Sequence, residues 1–231
     1  MAVTATFTDT FDTQIDTAKW TVRAGTYAWD AGRARLTTTY PSYSYIASAG
    51  IYDFTNSYVF VKMTVGAAGA GSREQQLAVL RPDLDNGAYL FVTGNPAVLT
   101  MRRREGGTNF QNSILYDPVA HAWIRMRMSG GQFHYDASPD GITWTNLGFS
   151  QTTALSMTTS TIGFLSGQYN NEGSTVFTYF DNLNVAPVVG GRPKVYTAGS
   201  WQKKPAKVWT GSAWVEKPVK VYTGSAWKTL T

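Results

Sequence analysis

The chain has 231 residues, 43% of them apolar, and carries 20 basic against 15 acidic side chains for a formal charge of +5. That apolar share can bury a core and excludes wholesale disorder. The lack of cysteine excludes disulfide staples, thiolate metal sites and a Cys nucleophile, and no apolar run approaches the roughly 18 residues of a membrane span. Aromatic residues are plentiful at 14% and charged ones scarce at 15%, a balance that suits sheets whose outer faces carry Thr, Ser and Tyr. No basic segment followed by an apolar one opens the chain, so the expectation is synthesis in a cytoplasm without a signal peptide.

In chain order, Ser57–Val65 reads as a strand. Leu77–Leu80 and Ala88–Thr93 flank Asp85-Asn86-Gly87, a hairpin signal because Asn-Gly accepts positive φ. Val98–Arg104 alternates, with Val98, Thr100, Arg102 and Arg104 on one side and Leu99, Met101 and Arg103 on the other. In Trp123–Met128 the residues Ile124, Met126 and Met128 face one way, Arg125 and Arg127 the other. Phe133 and Tyr135 follow Gly130-Gly131, the turn Ser138-Pro139-Asp140-Gly141 leads to Thr143-Trp144, and Thr161–Leu165 and Thr175–Asn184 close the region. No stretch keeps a 3.6-residue apolar period over three turns. About a dozen strands without helices predict an all-β antiparallel sandwich, a jelly roll, over residues 1–187.

Residues 188–193 read as a linker. From 194 to 231 the chain repeats itself every 13 residues: Lys194-Val195-Tyr196, Lys207-Val208-Trp209 and Lys220-Val221-Tyr222, each followed by four small residues and a tryptophan. This predicts three short β-hairpins in which Tyr196 faces Trp201, Trp209 faces Trp214, and Tyr222 faces Trp227. Residues 192–231 carry eight basic side chains against Glu216 alone. Hairpins this small have a thin core, so the expectation is that they pack on a companion surface and drive assembly, a homo-oligomer included.

The segment Lys207–Tyr222 resembles the Lys-Val-Trp-x-Gly-x-x-Trp-x-x-Lys-Pro repeats ending many minor tail proteins of phages that infect actinobacteria. The first 187 residues resemble concanavalin A-like (laminin G-like) jelly rolls. The matching segments are Phe7-Thr8-Asp9-Thr10-Phe11-Asp12, Trp123-Ile124-Arg125-Met126, Ser138–Trp144 and Phe180-Asp181-Asn182-Leu183-Asn184-Val185. These resemblances imply a component of the virion tail that binds host cell-wall polysaccharide and contacts other phage tail proteins, with a trimer as the analogy of other tail adhesins. They also imply a structural calcium ion at Asp9, Asp12 and Asp181, because oxygen ligands from first and last strands staple sugar-binding jelly rolls; no other cofactor is expected.

Catalytic members of that fold place Glu-x-Asp-x-Glu on one strand, and hydrolysis needs two facing carboxyls. Neither Glu74, Glu105, Glu172 nor Glu216 has an acid at that spacing, and Asp83 and Asp85 sit in a turn, where acids stabilise the backbone. The expectation is therefore a protein without catalytic residues. His121 and His134 lack partners at metal-ligand spacing. Arg102-Arg103-Arg104 reads as a solvated strand end without the broad basic surface that nucleic acid requires, so no nucleic-acid partner is expected.

Sugar recognition relies on aromatic faces and on Arg or amide groups that address hydroxyls and acidic substituents. The candidates are Tyr40, Tyr43 and Tyr45, Arg81 and Tyr89 on the hairpin, and Tyr169 and Asn170 in a late loop. Alternatives left open are a purely structural tail decoration or spacer, glycan capture by a ladder of Trp201, Trp214 and Trp227, and, less favoured, a glycan hydrolase.

Overall fold

The computed structural model describes residues 1–66, 73–94, 96–168, 175–187, 194–197, 200–203, 207–210, 212–216, 220–222 and 227–229. It divides into two units, Met1–Ala186 and Pro187–Thr231. The first holds strands β1 (Trp20–Ala24), β2 (Thr26–Trp29), β3 (Ala34–Thr38), β4 (Tyr43–Ser48), β5 (Tyr58–Val65), β6 (Arg73–Leu80) and β7 (Gly87–Thr93). It continues with β8 (Val98–Glu105), β9 (Thr108–Leu115), β10 (Trp123–Ser129), β11 (Gln132–Ser138), β12 (Thr145–Thr152), β13 (Thr161–Gln168) and β14 (Val176–Asp181). Two seven-stranded sheets result, in the orders β1-β4-β13-β6-β7-β8-β9 and β12-β11-β10-β5-β14-β3-β2. The protein is all-β, a jelly-roll sandwich of antiparallel sheets.

Period-two alternation sends one side of each strand into the shared core. Leu77 and Val79 of β6, Leu90 and Val92 of β7, Leu99 and Met101 of β8, and Ile124 and Met126 of β10 are buried there. At its centre Phe164 stacks on Phe180 (ring centroids 4.2 Å apart, planes 9° apart) and on Trp20 at 5.1 Å. The Asn184 side-chain amide helps to sew the N-terminal segment to the end of the sandwich. Asn184 Nδ2 donates to the carbonyls of Thr4 and Phe7, each at 2.9 Å, and its Oδ1 accepts the Phe60 N–H at 2.8 Å. Asn184 does this from a positive φ of 51°, a conformation Asn tolerates better than most residues.

Among the polar contacts that tie the two sheets together, one runs through the core from β11 to β8. The Tyr135 hydroxyl on β11 donates to the Arg102 carbonyl on β8 at 2.8 Å, and burial holds the phenol far above its ordinary pKa. Tyr135→Phe removes that bond while conserving the ring. It is expected to cost about 1 kcal/mol, read as a lower urea midpoint with an unchanged slope.

The second unit comprises three two-stranded sheets: β15 (Lys194–Thr197) with β16 (Ser200–Lys203), β17 (Lys207–Trp209) with β18 (Trp214–Glu216), and β19 (Lys220–Tyr222) with β20 (Trp227–Thr229). In register, Tyr196 is opposite Trp201, Trp209 opposite Trp214, and Tyr222 opposite Trp227. The middle hairpin also sets Lys207 opposite Glu216 and closes with the Thr210 N–H donating to the Ala213 carbonyl at 3.0 Å. Trp214 is 66% exposed, and Val215 is exposed beside it.

Candidate functional site

The outward face of the first sheet carries both aromatic and ionisable side chains. On β6 the positions opposite in parity to Leu77 and Val79 are Glu74, Gln76, Ala78 and Leu80. Ladder pairing lays Leu165 of β13, Gln76, Phe91 of β7, Thr100 of β8 and Ser113 of β9 in one row across the sheet. The adjacent row runs Gly163, Ala78, Tyr89, Arg102 and Gln111. Tyr45, Ala47, Ala78, Leu80, Tyr89 and Phe91 form a second buried cluster on this face.

A polar group lies on that apolar floor. The Arg102 guanidinium rests 4.3 Å above the Phe91 ring, donates from Nε to Gln111 Oε1 at 2.8 Å, and brings Nη2 to 3.8 Å from Glu74 Oε1. Gln76 Nε2 donates to the other Glu74 oxygen at 2.5 Å. Burial raises the Glu74 carboxyl above its ordinary pKa, while the Arg102 charge and the Gln76 amide pull it back down. Among the described strands of this sheet, Glu74 and Glu105 are the acids. Glu105 shares the parity of Arg103, to which it pairs at 3.5 Å, so Glu74 is the one acid directed outward.

A cavity of about 470 Å³ opens at the Thr161 end of the face, lined by Arg23, Tyr43, Tyr45, Ala49, Ile51, Pro82, Leu84 and Thr161. Tyr45 lies flat against β13 because Gly163 has no side chain. A Cβ there would come within 2.6 Å of the Tyr45 ring. A larger cavity, about 630 Å³, lies beside β2 at the edge of the second sheet, with Asp12, Ile15, Tyr27 and Trp29 among its walls. Asp12 is the one charged residue lining it, and the polar group around Glu74 lies on the other sheet.

The structure gathers some predicted site residues and separates others. Tyr43 and Tyr45 line the 470 Å³ cavity; Tyr43 is exposed, whereas Tyr45 is buried and forms part of the floor. Tyr40 stands on the connection from β3 to β4, outside that lining. Tyr89 is buried with its hydroxyl 3.4 Å from the Leu84 carbonyl. Arg81 lies 3.6 Å from Asp83, within a turn that Asp83 closes by accepting the Asp85 N–H and the Asn86 amide, each at 3.0 Å. Tyr169 and Asn170 lie outside the described residues, as does Glu172.

The three arginines of β8 correct the reading of a solvated strand end. Arg102 is built into the polar group above, Arg103 donates to the Thr152 carbonyl and lies 4.2 Å over Phe110, and Arg104 donates to Asp85 at 2.9 Å. Alternation places Arg103 on the core side, where it reaches the other sheet, and its neighbours on the outward face.

Of the carboxylates expected to hold calcium, Asp9 has hydrogen-bond partners within the chain. Asp9 accepts the Phe11 N–H and the Trp20 indole N–H, both at 2.9 Å. Burial raises the Asp181 carboxyl above its ordinary pKa, against the pull of the Lys62 charge and with the push of Asp12. Among the described residues no three or more His, Cys, Asp or Glu side chains meet in a metal-holding group. Through its two bonds Asp9 fastens the N-terminal segment to Trp20.

No protein-family model and no curated protein matches the chain. Solved structures do match its fold. A Bacillus licheniformis beta-glucanase is 13% identical over 76% of this chain and 95% of its own, with a TM-score of 0.58. A prokaryotic beta-1,3-1,4-glucanase (lichenase) from a mouse hindgut metagenome is 7% identical over 76% of this chain and 96% of its own, at 0.59. The catalytic domain of an endo-1,3-beta-glucanase (laminarinase) from Thermotoga petrophila is 8% identical over 76% and 94%, at 0.56. At these identities the likeness is one of fold. It nonetheless overturns the expectation of a chain without catalytic residues: the sandwich is one that glycoside hydrolases share, and at such distance a missing Glu-x-Asp-x-Glu spacing is no argument against catalysis.

Proposed function

We propose that the jelly roll engages a polysaccharide along the outward face of its first sheet and that the protein is a phage tail component acting at the host cell surface. The observation that carries the glycan reading is the Arg102–Gln111–Glu74–Gln76 group resting on Phe91, on the same sheet that opens a tyrosine-lined cavity at its Thr161 end. Sugar rings present apolar faces and hydroxyl edges, and a floor of aromatics bearing amides and a guanidinium matches both. The hairpins supply attachment to other tail proteins or to further copies of the chain. The exposure of Trp214 and Val215 supports that role, as does the charge of residues 192–231.

The test is a pull-down with polysaccharide released from actinobacterial cell walls. Full-length protein is expected to bind and Arg102→Ala to lose at least tenfold in affinity, since hydrogen bonds to charged groups are worth about 1.5–3 kcal/mol. Undiminished binding by Arg102→Ala would move the site elsewhere. Deleting residues 192–231 should leave the wall polysaccharide bound and abolish oligomers or incorporation into tails.

A second reading, cleavage of the bound glycan, is favoured by Glu74. A partly buried carboxyl held above its ordinary pKa is suited to donate a proton to a glycosidic oxygen.

A further inference from the structure

We propose that the cavity beside Arg23 is a subsite for a carboxylate-bearing sugar, a hexuronate or comparable acidic residue of the polysaccharide. This rests on the glycan reading above and names the class of residue that one end of the face selects.

Arg23 owes its position to a β-bulge. In the β1–β4 ladder Val22 pairs with Ile46 and Ala24 with Tyr45, so Arg23 is the extra residue. A bulge in an edge strand re-aims a side chain, and here it brings the guanidinium to the cavity wall beside Tyr45.

Among the described residues no carboxylate pairs with Arg23. Other arginines of this sheet and its hairpin are spoken for: Arg81 by Asp83, Arg102 by Glu74, Arg103 by Glu105 and Arg104 by Asp85. The lining of the cavity includes no acid. The nearest in sequence, Asp83, is turned into its own loop toward the Asp85 N–H and Asn86. Tyr43, Ile51 and Leu84 are each 48% exposed, leaving apolar walls open to a ring beside an uncompensated positive charge. A volume of about 470 Å³ lies in the range of small-ligand sites. A single planar guanidinium offers a carboxylate two parallel N–H donors, and the Tyr43 ring offers the sugar a stacking face.

The experiment compares full-length protein with Arg23→Gln on two forms of the wall polysaccharide, native and with its carboxyl groups reduced to alcohols. The protein is expected to bind the native polymer roughly ten- to a hundredfold tighter than the reduced one. Arg23→Gln should bind both alike, near the level of the reduced polymer. Arg23 is exposed, so the substitution should leave the melting temperature unchanged. Equal affinity of the wild-type protein for both polymers, or a preference that survives Arg23→Gln, overturns this inference and leaves the glycan reading standing. Binding to neither polymer overturns both.

Discussion

Asp136→Ala is expected to destabilise the sandwich by about 2–3 kcal/mol. Asp136 lies on the outward side of β11, 2% exposed, and is shared by two cations. It accepts Arg125 Nε at 3.0 Å, Arg127 Nε at 2.9 Å and Asn146 Nδ2 at 3.0 Å. Arg125 in turn lies 4.3 Å over the Trp144 ring, and Trp144 packs at 5.5 Å on Phe60 of the neighbouring strand. Removing the carboxylate therefore leaves two adjacent guanidinium groups repelling each other and loosens the loop that brings Trp144 back over the sheet. Breaking a fully buried pair costs about 3–5 kcal/mol. Water reaches Arg125 and Arg127, whose side chains are 22% and 34% exposed, and this lowers the expected figure. Urea unfolding measures it. Asp136→Asn, which keeps one acceptor, should lose about half as much. A loss under about 0.5 kcal/mol for Asp136→Ala would mean that the two arginines are already held by solvent and by Trp144.

The strands legible in the sequence are those with one face in the core. The alternation Ile124-Arg125-Met126-Arg127-Met128 named β10 because each apolar residue is buried and each arginine faces outward. Asp85-Asn86-Gly87 located the β6–β7 hairpin, where Gly87 takes a φ of 157° and the Arg81 N–H donates to the Asn86 carbonyl at 2.9 Å. Edge strands were not legible. β9 and β12 are exposed along most of their length, so Thr108–Leu115 and Thr145–Thr152 show little of the apolar period that marks a strand.

The site was legible in its aromatics and hidden in its polar group. Tyr43 and Tyr45 stand out by composition, and both line the cavity. Glu74 and Gln76 look like a polar approach to the apolar run at Leu77, yet pairing carries β6 back to Arg73. Their meaning depends on Arg102 and Gln111, which reach them only through lateral pairing of β6 to β7, β8 and β9. Arg23 depends on a one-residue slip in an edge ladder. Nothing in Thr21-Val22-Arg23-Ala24 announces that slip, because a bulge is a property of two strands and not of one.

If the bound glycan is cleaved, Glu74→Gln is expected to lower the rate by about 10²–10⁴-fold while affinity falls little. Gln keeps the shape, and its one carbonyl oxygen can still accept from either Gln76 or Arg102, but it has no proton to give. In the step proposed, the Glu74 carboxylic acid transfers its proton to the glycosidic oxygen as the bond to the anomeric carbon breaks. Water adds to that carbon and releases its own proton to solvent, and the carboxylate is reprotonated from solvent. With no second outward acid on the described strands of this sheet, proton delivery is what these residues contribute. Release of reducing ends from wall polysaccharide measures the rate. The pH dependence has a definite sign. Burial raises the Glu74 pKa, so the acid form persists above the ordinary carboxylate range, and the rate should fall as pH rises through the raised value. By linkage, stability should also decline as pH climbs from the ordinary to the raised pKa, because the folded chain holds that proton more tightly than the unfolded one. Arg102 pulls the carboxyl down, so Arg102→Gln should shift the alkaline limb of the rate profile to higher pH. A limb that stays in place in Arg102→Gln, or activity retained by Glu74→Gln, would assign the proton to another group.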